Sequence, residues 1–228
     1  MLKKKNLIVF DIDDTLTKSE FQHQSAYVTT MKHFGITDIN THWKTYKHHT
    51  DSYILSKNYE ANLKKPFDFS FIPEFEAKMT KELLKLKSTE EILGARAIVD
   101  FFINKTNYAI TFATGSLLQP ALIKLNHAEI PHQKDLVISS NTIFDREGIV
   151  KGAIARAKEN YNVDSFDSII SIGDGLWDLT TAQNLGVHFI GIGAKNLEDF
   201  KKKNCKVTIT DWSDFDLKLA ELKLGITN

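Results

Sequence analysis

The stretch Leu7–Thr17, LIVFDIDDTLT, runs four apolar residues straight into three carboxylates, Asp11, Asp13 and Asp14. An unbroken apolar run of this length reads as a strand covered on both faces, as strands of parallel sheets are. The acids that follow are harder to place. Carboxylates this close repel and raise one another's pKa, so the crowding is unfavourable unless something cationic sits among them. A hard divalent cation such as Mg²⁺ is the natural candidate, because it takes oxygen ligands.

Outward from this segment, short apolar runs recur at YAITFA (108–113), LVIS (136–139), IISI (169–172), HFIGI (188–192) and KVTIT (206–210). Helical patterns separate the later ones. Ile149, Val150, Ala153, Ile154, Ala157 and Tyr161 share one helical face, and WDLTTAQNL runs to Gly186, placed as a C-terminal stop. Alternating strands and helices predict an α/β fold with a doubly wound parallel sheet. Function in such sheets gathers at the carboxyl ends of the strands, near the switch point.

One gap is too long for that scheme. About a hundred residues separate the first strand from the second, where a strand-helix-strand unit needs only ~30. The excess has helical patterning. Residues 20–34 read as a helix ending at Gly35, and Pro73 opens another through Phe75, Met79, Leu83 and Leu86. Ser88 and Glu91 then have capping-box spacing ahead of ARAIVDFF. The expected organisation is a core of 1–17 and 89–228, with 18–88 an all-helical module inserted over the first strand's carboxyl end.

The 228 residues balance 29 Lys+Arg against 29 Asp+Glu. No general nucleic-acid or membrane surface follows from that balance, and anionic substrates would need a local site. The single cysteine, Cys205, excludes an internal disulfide and suits a reducing compartment; it reads as a small strand residue. No apolar run approaches a membrane span. Asp11 cuts the run after the basic start MLKKKN too short for a signal peptide. A cytoplasmic location is expected.

Four stretches line up at predicted strand ends: DIDDTLT; FATGS, with Thr114, Gly115 and Ser116; a basic residue near the helix at 146–160; and SIGDGLWDL, with Asp174 and Asp178. This order, with a helical insertion after the first motif, resembles the haloacid dehalogenase superfamily with a C1-type cap, over nearly the whole chain. The resemblance implies a Mg²⁺-dependent phosphatase chemistry. Asp11 would be the nucleophile, forming an aspartyl-phosphate, and a metal ligand. Asp13 would act as acid and then base, with its main-chain carbonyl on the metal. Asp174 and Asp178 would complete the metal set. Thr114 and the amides of Gly115 and Ser116 would hold phosphoryl oxygens at a helix N-terminus.

The basic residue stays open between two candidates. VKGAI resembles the third motif of phosphoserine phosphatase-like members, which selects Lys151. At ~100° per residue, a helix starting near Arg146 instead puts Arg146 on the buried side and Lys151 in solvent. A start after Gly152 would reverse that choice.

Within the insertion, the histidines His23, His33, His42, His48 and His49 read as solvated helix faces, with His49 and Asp51 candidates to meet a substrate. The aromatic residues Trp43, Tyr46, Phe67, Phe69 and Phe71 have small-core, cleft and interface readings, with core the commonest fate. The expected substrate is a small phosphorylated metabolite. A phosphomutase of the β-phosphoglucomutase type is the alternative, and a non-catalytic binding protein a third reading that the four acids oppose. A dehalogenase proper needs neither Asp13 nor the Asp174/Asp178 pair.

Overall fold

A computed structural model describes residues 3–226; Met1 and Leu2 of the basic N-terminal stretch lie outside it. Its centre is a six-stranded parallel sheet of β1 (Asn6–Phe10), β4 (Tyr108–Ala113), β5 (Val137–Ile138), β6 (Ile169–Gly173), β7 (His188–Ile192) and β8 (Val207–Ile209), in spatial order β5-β4-β1-β6-β7-β8. β1 pairs with β4 on one side, Ile8 opposite Ile110, and with β6 on the other, Ile8 opposite Ile170. Chain order therefore reverses at β1, and its carboxyl end, where the acids stand, is the switch point.

The pleat explains why these strands are apolar throughout. Ile8, Phe10, Ile110, Phe112, Ile170 and Ile172 point to one face, where α4 (Ala95–Lys105), α5 (Leu118–His127) and α9 (Leu217–Leu224) cover them. Leu7, Val9, Ala109 and Ala113 point to the other, under α6 (Arg146–Tyr161) through Ile149, Val150, Ala153 and Ala157. Beside α6, α7 (Leu176–Leu185) and α8 (Leu197–Lys202) close on Phe189. Gly186, at φ +66°, ends α7.

The long gap after β1 holds three helices, α1 (Glu20–His33), α2 (Asp51–Leu63) and α3 (Ile72–Leu83), gathered on a separate apolar cluster. Tyr27, Met31, Leu55, Phe75, Met79 and Leu83 are among its buried members, and α3 also leans on α5. Trp43, Tyr46, Phe67, Phe69 and Phe71 pack around the same cluster.

Two local expectations are corrected. Glu90–Glu91 form a short strand, β3, antiparallel to β2 (Thr17–Lys18), rather than opening a helix. The chain's way out of the helical layer and its way back thus run side by side, and α4 starts only after Gly94, at φ +83°. Glu91 still serves the helix, its carboxylate accepting from the Arg96 amide at 2.7 Å. The LVIS strand shrinks to Val137–Ile138, because Leu136 closes a 3-10 turn.

Candidate active site

Asp11 follows β1 directly and is nearly buried. One carboxylate oxygen accepts from the Arg146 guanidinium at 2.8 Å and the other from the Thr15 hydroxyl at 3.1 Å. Asp174 comes from the β6–α7 turn and Asp178 from the first turn of α7. Glycine at 173 is required there, because any side chain would run into the Asp178 carboxylate. That carboxylate accepts from the Gly175 amide at 3.1 Å and from Arg146. Carboxylate oxygens of Asp11, Asp174 and Asp178 lie within 4.8 Å of one another.

This concentration of charge costs the site in water-poor surroundings. Burial pushes the Asp11 carboxyl up to about 7; Asp178 and Asp13 add repulsion, which Arg146 only partly offsets. Burial likewise raises Asp174 well above the usual range, with Asp11 and Asp178 adding to it. Among the described residues no side chain donates a hydrogen bond to the Asp174 carboxylate. Three converging carboxylates with oxygen-only donors and one arginine between them could hold a divalent cation, whose charge would remove the repulsion.

The basic residue in contact with Asp11 is Arg146. Helix α6 begins at that residue, with Asp145 capping its N-terminus by accepting from the Gly148 amide at 2.7 Å. The guanidinium is buried between Asp11 and Asp178. Lys151 is exposed on the far side of the same helix, away from the acids.

Asp13 meets a lysine that the sequence reading passed over. Lys124 of α5 is fully buried, and its ammonium donates to both Asp13 oxygens, at 2.6 and 2.7 Å, and to the Ser116 hydroxyl at 2.7 Å. Ser116 and Ser19 also hydrogen-bond the same carboxylate. Burial alone would raise the Asp13 carboxyl, but Lys124, by its charge and its hydrogen bonds, outweighs it and holds it well below the ordinary range. A signal for Lys124 existed: it stands inside the apolar run ALIKL of the helix that follows FATGS.

His23 corrects the expectation of a solvated helix face. Its Nδ1 lies 3.2 Å from the Lys124 ammonium and its Nε2 2.9 Å from Asp51. Lysine has no acceptor, so Nδ1 accepts and the Nε2–H donates to Asp51. The other Asp51 oxygen accepts from the Leu117 amide at 2.9 Å, and the Asp51 amide donates to the Gly115 carbonyl at 2.8 Å. Asp51 thus ties α2 to the β4–α5 turn through one carboxylate oxygen and its own amide, and to α1 through the other oxygen.

In that turn the Ser116 amide donates to Thr114 Oγ1 at 3.0 Å. Gly115 lies against the layer above: a Cβ there would stand 2.5 Å from the His49 carbonyl oxygen and 3.0 Å from Arg146. His49 stacks on Trp177 at 4.5 Å between centroids, and burial with Arg146 beside it lowers its pKa. A cavity of about 1160 Å³ opens between helical layer and sheet, reaching Asp11, Asp13 and Asp174 and walled by Trp43, Lys44, Lys47, His48, His49 and Trp177.

Cys205 is remote from these groups. It donates to the Val207 carbonyl, and burial raises its thiol pKa.

A family model described as haloacid dehalogenase-like hydrolase matches residues 8–192, most of the chain. The chain belongs to this family. Solved structures with the same fold include a HAD hydrolase, family IA, variant 3, from Entamoeba histolytica (TM-score 0.71, 17% identity, 96% of this chain and 99% of that one). Another is β-phosphoglucomutase from Clostridium difficile (TM-score 0.70, 18% identity, 99% and 98%). A third is a CbbY mutant from Rhodobacter sphaeroides in complex with xylulose-(1,5)bisphosphate (TM-score 0.66, 13% identity, 92% and 95%). At these identities the likeness is one of fold. Comparison with curated proteins gave no match. Among the described residues no helix is long and apolar enough to cross a membrane.

Proposed function

We propose that the protein is a Mg²⁺-dependent phosphatase of small phosphorylated metabolites, with residues 18–88 acting as a cap over the core. The observation that carries this reading is the convergence of Asp11, Asp174 and Asp178 on one point, under a cavity large enough for a metabolite. Asp11, Asp174 and Asp178 would hold the cation, with the Asp13 carbonyl beside them. When bound, Mg²⁺ neutralises charge on the phosphoryl group and on the acids.

The remaining chemistry belongs to the chain's own residues. Asp11 attacks phosphorus and the alcohol leaves, giving an aspartyl-phosphate; splitting one hard displacement into two lowers each barrier. Thr15 and Arg146 fix the attacking carboxylate, and the guanidinium offsets charge at the reacting centre. Asp13 gives a proton to the leaving oxygen and then takes one from the water that cleaves the intermediate. Lys124, Ser19 and Ser116 hold its carboxylate ionised, the form needed for the second step; the first step runs through the neutral acid, which takes a proton from solvent once the Lys124 contact is released. Lys44, Lys47 and His48 on the cavity wall favour an anionic substrate, and the enclosed shape favours a small one. A relative of the same fold binds a sugar bisphosphate, which fits that chemistry.

The test is p-nitrophenyl phosphate hydrolysis by the wild-type protein with Mg²⁺, with EDTA, and by Asp11→Asn. Turnover is expected with Mg²⁺ alone, and it should vanish with the chelator and with the amide, which cannot form the intermediate. Turnover that survives Asp11→Asn would remove Asp11 as nucleophile. A folded wild-type protein that binds Mg²⁺ without turning over would transfer the reading to the phosphomutase.

A further inference from the structure

We infer that Phe144 is a positioning residue, through which the seated cap sets Arg146 on the nucleophile; the inference rests on the phosphatase reading above. Phe144 belongs to the core, two residues before Arg146, yet its ring is inserted into the aromatic cluster of the helical layer. It stacks on Phe69 at 4.5 Å between centroids and meets Tyr53 and Phe67 at 5.9 and 6.2 Å. The backbone on either side is held by the same layer. Thr50 donates its hydroxyl to the Phe144 carbonyl at 2.6 Å, and Ser52 donates to the Ile143 carbonyl at 3.0 Å.

What is gripped at 143–144 is transmitted to Arg146, because the intervening chain has no slack. Asp145 is the N-terminal cap of α6 and Arg146 its first helical residue. Ile143 packs so tightly against the first turn that a Cβ on Gly148 would stand 2.8 Å from its side chain. Five contacts from two segments of the cap, 50–53 and 67–69, therefore converge on the two residues that precede the N-terminal cap of the helix. They exceed what the apolar cluster of the cap needs for itself, since Phe67 and Phe69 already pack on their own layer. With the cap seated, the guanidinium stands between Asp11 and Asp178; with this grip lost, the start of α6 is free to shift and the guanidinium with it.

The test is a double-mutant cycle on kcat/KM for p-nitrophenyl phosphate with Mg²⁺, using Phe144→Leu and Arg146→Ala. Phe144→Leu keeps an apolar side chain and loses the stacked ring. It should lower kcat/KM roughly 10-fold or more, since misplacement near 1 Å costs up to ~100-fold. In the Arg146→Ala background the same change should cost less than about 2-fold, because the group it positions is gone. In a Lys151→Ala background the full loss should return. Ser52→Ala, which removes one hydroxyl and no ring, should show the same pattern at smaller amplitude, and carries the test if Phe144→Leu fails to fold. Equal fold-losses with and without Arg146, or no loss at all, would overturn the inference. A wild-type protein without Asp11-dependent turnover would overturn the phosphatase reading, and this inference with it.

Discussion

Lys124 and Asp13 show how much a single pair contributes at this site. The ammonium is fully buried, while the carboxylate is partly open to the cavity. Removing the acid therefore leaves an uncompensated buried cation, which costs roughly 3–5 kcal/mol. Asp13→Ala is expected to be destabilised by that amount in urea unfolding. The double variant Asp13→Ala/Lys124→Met should recover most of it, since an apolar pair of similar volume is tolerated where a lone charge is not. A double variant as unstable as the single one would show that the pair's other partners, Ser116 and His23, decide the energy. The same scale explains Asp14, whose φ of +52° closes the turn after the first strand and aims its carboxylate at the amides of Ser19 and Glu20. A short polar side chain tolerates that left-handed conformation better than most.

At the scale of elements, the start of α6 decides which basic residue meets Asp11. Asp145 caps the helix, so Arg146 faces the sheet and Lys151, five residues on, faces water. Arg146→Ala should lower kcat/KM roughly 10²–10³-fold, the usual loss of a preorganised charge-stabilising donor. Lys151→Ala should stay within about 2-fold in rate and ±0.5 kcal/mol in stability, as exposed positions do. Parallel assays and urea curves of the two variants check this, and a reversed order would return the third motif to Lys151. The β2–β3 ribbon belongs here too: it joins the two chain crossings between helical layer and core.

For the whole molecule, the acids link folding to metal and pH. The Asp11 carboxyl is raised by folding, to about 7. Its neutral form is the favoured one, so its share of stability is complete below the ordinary pKa near 3.8 and is lost as pH rises through about 7. Asp174 acts in the same direction, and His49, held neutral by its surroundings, acts in the opposite one. A bound cation reverses the penalty on the acids and must displace protons at low pH. Mg²⁺ at ~100 times its Kd should add about 2.7 kcal/mol, a Tm gain of roughly 5–10 °C for a chain of this size. At one fixed Mg²⁺ concentration the gain should be larger at pH 8 than at pH 5, read by thermal melts with Mg²⁺ against EDTA. An equal gain at both would remove the carboxylate cluster as the binding site.

What was legible from sequence is what local chemistry dictates. Apolar runs such as LIVF and YAITFA announce buried strands through their composition, and Pro73, Gly35 and Gly186 bound helices because few other residues suit those backbone positions. Strand order then brings residues at strand ends to one edge, so Asp11, Asp174 and Asp178 were readable as a group. Contacts between the two layers were not. Lys124, His23 and Asp51 lie as far as 101 residues apart and carry no shared motif; they meet because α1 and α5 both pack on α3 and the start of α2 is bonded to the turn before α5. Phe144 stands far from Phe67 and Phe69 in the sequence and meets them only in the fold. Sequence alone determined which residues stand at the strand ends, since each element's residues encode its own geometry. Tertiary structure decided which charges neutralise Asp11 and Asp13, because burial and distance exist only once the layers are packed.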